Sequence, residues 1–235
     1  MSFEAVDRRA VASVATQFFV NGAIFASFIP RLPEIRGRID VSTGVLGVLM
    51  TLALLIGLAG SLVSARLLNR FGTRLTLIGG AALLVLTLPL IGFATTPAVF
   101  VIALGMMAAL DVIVDVSMNL QGSWLSARRH APIMNRLHGL WSLGTVIGGL
   151  AAAQLTSSGV SLQTHLLGVA AVLSVALVFV SRGLLRHDEH VDEAATGTTV
   201  RALTTRLPLV LLAVGGALAI TVELVSNDWA AFRLA

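Results

Sequence analysis

"ARLLNRFGTRLTL" occupies Ala65–Leu77 and interrupts a long apolar region. The residues before it, Thr43–Leu68, and after it, Leu75–Ala94, are each long enough to cross a bilayer, which takes about 20 apolar residues. Only a few residues separate the two runs, and they hold Arg70, Gly72 and Arg74. This predicts two membrane helices joined by a tight turn. Gly72 permits a backbone reversal that other residues resist. Arg70 and Arg74 would hold the turn in water and can bond the carbonyls at helix C-termini. A plain positive-inside anchor explains the same arginines without further function.

The rest of the chain has the same character. Of its 235 residues, 56% are hydrophobic and 12% charged, about half the charged share of a soluble domain. Further runs at Ala10–Ile29, Pro97–Leu120, Leu137–Thr156, Thr164–Val180 and Leu207–Val225 bring the expected spans to seven. The expected fold is all-α, a polytopic bundle of membrane helices. The first run is too long for a cleaved signal peptide, and no small-residue cleavage site follows it.

All sixteen basic residues are arginine, and cysteine is absent. That excludes a phosphate-loop ATPase and a retinal-type Schiff base, both of which need lysine. It also excludes disulfides and cysteine metal sites. The arginines sit in short loops, where orientation signals belong, so the basic pI does not point to nucleic acid. With the N-terminus in the cytoplasm, twelve arginines fall on cytoplasmic segments and four outside, which favours that orientation in a cell (plasma or inner) membrane. The first outer loop, "RLPEIRGRID" (Arg31–Asp40), is the exception.

One long polar stretch, residues 182–206, separates a six-span unit (1–181) from the seventh span (207–235) and reads as a cytoplasmic linker. Its His187, Asp188, Glu189 and His190 read as a solvated charge run, because a linker does not fix ligand geometry; no metal or cofactor is expected. The seventh span runs directly into "NDWAAFRLA". It is expected to begin a second bundle of a longer transporter or to find partners in another chain.

The turn at Ala65–Leu77 resembles the signature loop of the major facilitator superfamily: a glycine, three residues, an aspartate, then Arg-x-Gly and a basic pair. Arg70, Gly72 and Arg74 match. Ala65, Asn69 and Thr73 stand where the glycine, the aspartate and the first of the basic pair would be. "DVSMNLQG" (Asp115–Gly122), "PIMNRLHGLWSLGTVIGG" (Pro132–Gly149) and "ELVSNDWAAF" (Glu223–Phe232) resemble the fucose–proton-symporter-like branch. Ser126 departs from it, standing where many relatives are acidic. The resemblance implies twelve helices in two bundles around a central site. It also implies a cytoplasmic gate at the loop, which the uncharged Asn69 would weaken or pair differently.

Within the fourth span Asp111, Asp115 and Asn119 are spaced four and four, so they share one helical face. A carboxylate on lipid-exposed helix costs about 2.5–3.5 kcal/mol at the bilayer centre, so this stripe must face protein or water. Measured from Pro97, Asp111 lies about 21 Å along the helix and Asp115 about 27 Å. Asp111 is therefore the candidate proton site. Asp115 is expected at the cytoplasmic gate with Arg70, Arg74 or Arg128 as partner.

In the first span Asn21 lies about 16 Å in, near the midplane, with Gln17 one turn before it. Both amides could bond solute hydroxyls, as could Asn119 and His138. An interhelical amide bond is the plainer alternative for Asn21 and the preferred one for Gln17. For His138 an interfacial structural role is preferred. Gly57 and Gly60, like Gly144 and Gly148, read as close helix contacts. In the seventh span Glu223 is a second candidate for the proton.

Together these readings predict a proton-coupled secondary transporter of a sugar or similar small polar solute, acting in the lipid bilayer by alternating access. A truncated, non-transporting scaffold is the first alternative. A membrane-embedded enzyme is the second and is disfavoured, because no serine–histidine pair or histidine–carboxylate cluster falls within the spans.

Overall fold

The computed structural model describes residues 3–185 and residues 210, 211, 214, 215, 218 and 232. The linker motif His187–His190, Glu223 and most of the seventh span lie outside the described residues. The described chain is helical, with no strand. Its elements are α1 (Phe3–Phe28), a 3₁₀ turn (Ile29–Arg31), α2 (Leu32–Arg38), α3 (Thr43–Gly92), α4 (Pro97–Arg128), α5 (Met134–Ser157) and α6 (Leu162–Ser181).

Four stretches, Asp7–Arg38, Thr43–Gly92, Pro97–Arg128 and Leu162–Ser181, are long and apolar enough to cross a membrane. The expected second and third spans are joined without a loop in the 50-residue α3. Straight, such a helix would run about 75 Å, over twice a 30 Å hydrocarbon core. It reverses at Gly72, whose φ of 73° and ψ of 165° only glycine adopts without strain. Both arms then meet one stretch of α4: Gly57 and Gly60 lie against Ala108 and Ala109, and Gly80 against Val114.

Close approach at glycine builds the other pairs too. Gly22, Gly144 and Gly148 let α1 and α5 touch backbone to backbone, and Gly92 brings the second arm of α3 onto α6 at Leu166. Small residues drive such contacts in membranes, where lipid is as apolar as the helix surface. Leucines such as Leu55, Leu58 and Leu62 point outward, as lipid contact requires.

The helix ends account for two arginines of the segment Arg31–Asp40, Arg31 and Arg38, and for Arg74. Ser42, Thr96 and Ser161 cap the N-termini of α3, α4 and α6. At the opposite ends arginines bond carbonyls at or just beyond the last turns. Arg38 donates to Gly92 at 3.0 Å, Arg31 to Val160 just beyond α5 at 2.9 Å, and Arg74 to Ser181 of α6 at 2.8 Å. A cation there also meets the negative end of the helix dipole.

Candidate functional site

A cleft of about 580 Å³ opens between α1, the first arm of α3, α4 and α5. Its walls are mostly apolar, with Phe25, Met50, Leu54 and Trp141 among them, and Asp111 is the one charged residue lining it among the described residues. Asn21 Nδ2 donates to Asp111 Oδ1 at 2.9 Å. Polar residues of the first and fourth spans therefore bond each other across 90 residues of sequence. Thr145 Oγ1 completes the polar wall, 3.3 Å from the Gly22 carbonyl.

An ionised carboxylate only accepts hydrogen bonds, whereas a protonated one also donates. The pair can thus present two hydrogen-bonding faces to a solute, depending on one proton. The cleft supplies aromatic surface beside it at Phe25 and Trp141.

The other predicted residues are placed differently. Gln17 is 0% exposed and outside the cleft lining, with neither amide atom partnered. His138 is exposed and meets the ring of Phe18 edge-on at 5.2 Å. Asn119 Nδ2 donates to the Asp115 carboxylate at 3.0 Å and to its carbonyl at 2.9 Å. The expected pairing of Asp115 with loop arginines gives way to this contact, because an amide one turn away on the same helix is nearer than a side chain from a loop. Arg74 is engaged with Ser181, Arg128 pairs with Asp7 at 3.0 Å, and Arg70 lies over the ring of Phe71. Asn69 is exposed at the turn beside Gly72.

Two features had no reading in the sequence. Gln121, fully buried, exchanges two hydrogen bonds with the Leu185 backbone, at 3.1 and 3.0 Å. Arg31, 2% exposed, bridges Glu34 and Val160. Gln121 stands in the quoted "DVSMNLQG", but its partner is 64 residues on. Only a count of amides on buried helix faces could have singled it out.

A multi-pass helical membrane bundle with a polar pair in an apolar cleft defines the class. Residues 14–232 match the Major Facilitator Superfamily, and the chain belongs to that family, one of transporters and not of enzymes. It is similar to an uncharacterized MFS-type transporter of Yersinia pestis, 29% identical over 177 residues, covering 74% of this chain and 45% of that one. An uncharacterized transporter of Sinorhizobium fredii is 27% identical, with 68% and 42% covered. The membrane protein MosC of Rhizobium meliloti is 30% identical, with 75% and 42% covered. The chain spans less than half the length of these curated relatives.

Proposed function

We propose that this chain is the first bundle, linker and seventh helix of a proton-coupled transporter of the fucose–proton-symporter-like branch, with a sugar or similar small polar solute as substrate. The observation that carries the reading is the Asn21–Asp111 hydrogen bond inside the cleft. Residues 1–181 form the first bundle, 182–206 a cytoplasmic linker, and 207–235 begin a second bundle that completes the cleft. The N-terminus is cytoplasmic and the membrane is the cell membrane; the arginine distribution supports this.

Asp111 takes up the coupling proton. Ionised, it holds the Asn21 amide. Protonated, it no longer carries a charge that opposes closure of an apolar cleft. The solute hydroxyls then find Asn21, Thr145 and Asp111 on one side, and aromatic faces on the other. The two bundles rock around this site in alternating access. Glu223, in the seventh span, is the second candidate for the proton. The turn at Asn69, Arg70, Gly72 and Arg74 gates the cytoplasmic side, with Asp115 and Arg128 at the inner ends.

The test is uptake by the full-length protein in proteoliposomes under an imposed proton gradient, with a panel of labelled sugars. Asp111→Asn is expected to abolish the pH dependence of uptake. Unchanged proton coupling would remove Asp111 from the mechanism.

A further inference from the structure

We infer that Gln17 is a positioning residue for the Asn21–Asp111 pair, reversing its hydrogen bonding when Asp111 gains or loses a proton. The inference rests on the reading of Asp111 as a proton site. Three observations meet here. Asn21 Nδ2 is bonded to Asp111, while Asn21 Oδ1 is buried with no partner. Gln17, one turn earlier on α1, is 0% exposed and leaves both its amide oxygen and its amide nitrogen unpartnered. Side chains four apart on a helix have Cβ atoms about 5–6 Å apart, within reach of a glutamine directly or through one water.

A buried amide with both ends free is costly unless something uses it. The chemistry of the three groups supplies a use. With Asp111 ionised, it can only accept, so Asn21 presents Nδ2 to it and turns Oδ1 towards Gln17, whose Nε2 is the matching donor. With Asp111 protonated, its hydroxyl donates, and its best acceptor is Asn21 Oδ1. The Asn21 amide then turns over, and Nδ2 finds Gln17 Oε1. A glutamine satisfies both arrangements because it carries one donor end and one acceptor end. No proton moves beyond Asp111; only the direction of the bonds changes. The state of the cleft is thereby read inside α1, the helix packed along α5 and α6.

The titratable groups facing this site are few. Asp115 follows one turn along α4, and His138 of α5 acts on Asp115. The cleft walls from α1 and the first arm of α3 bring no charged residue among the described residues. A parallel spectroscopic series carrying Asp115→Asn removes that neighbour from the titration, while uptake is measured with Asp115 in place.

The experiment is infrared spectroscopy of the full-length protein in lipid, following the Asp111 carboxyl band against pH, assigned by its loss in Asp111→Asn. Uptake is measured across the same pH range. Gln17→Met keeps the volume and removes the amide. Because Gln17→Met removes one bond from each protonation state, the midpoint of the band should stay close to the native one; a shift of about 0.4–1 pH unit is what loss of a bond from one state alone would give. In the protein with native Gln17, side-chain-labelled glutamine should show a band change with the same midpoint, absent from Gln17→Met; this arm does not depend on how well the variant folds. No glutamine signal makes Gln17 a filler of the core, and a midpoint moved by about 0.4–1 pH unit means that it bonds one state only; either result overturns the inference. If the Asp111 band titrates and the glutamine band follows it, but Asp111→Asn leaves proton coupling intact, the transport reading fails and the positioning role stands.

Discussion

Gly144→Ala tests how α1 and α5 are held together. A methyl group at Gly144 would run into the carbonyl oxygen of Phe19, with the carbonyl carbon 3.0 Å away and the nitrogen of Ala23 at 3.2 Å. These are backbone atoms and cannot rotate aside, so the helices must separate by roughly 1 Å, and such overpacking costs about 1–3 kcal/mol. Alanine also gains about 1 kcal/mol of helix propensity over glycine, which blurs a single variant. Gly149→Ala on the same helix removes that ambiguity, because nothing lies within 4 Å of its added methyl. The propensity gain cancels between the two variants. Their difference in stability should be the overpacking cost alone, about 1–3 kcal/mol, with Gly144→Ala the weaker. Unfolding in mixed micelles, followed by tryptophan fluorescence with Trp141 at the seam, reads it. Equal stabilities, or a more stable Gly144→Ala, would refute backbone contact at this position.

Gly72→Ala places a side chain at φ 73° and ψ 165°, which costs about 1–3 kcal/mol of strain; the same unfolding assay should show the loss, and wild-type stability would mean the turn is shaped otherwise. Arg31→Met removes the charged donor from the Val160 carbonyl at 2.9 Å, a loss of about 1.5–3 kcal/mol for a hydrogen bond to a charged group. Protease cleavage at the α5–α6 turn should then quicken, and an unchanged rate would mean that Arg31 does not hold that turn.

The helices and their reversals could be read locally. A run of apolar residues reports its own burial in lipid. Gly72 between two such runs was legible as a turn for the same reason. The pairing of polar groups was not. The spacing of Asp115 and Asn119 already contained their bond, yet the loop arginines looked the better partners, because charge complementarity says nothing about distance. Gln17 read as an interhelical amide before a solute ligand, and neighbouring helices do bury it, but neither of its amide atoms has a partner.

The sequence by itself determined that this chain forms membrane-spanning helices and where they turn, and that Asn21 stands near mid-depth with Asp111 further along its own span. Hydropathy, glycine and capping are properties of a residue and its near neighbours, so one chain suffices to read them. The tertiary structure alone decided that Asn21 and Asp111 bond each other, that Gln17 lies buried without a partner, and that Arg31 and Arg38 close helix ends. Those facts depend on which helix faces which, and glycine contacts between distant segments settle that.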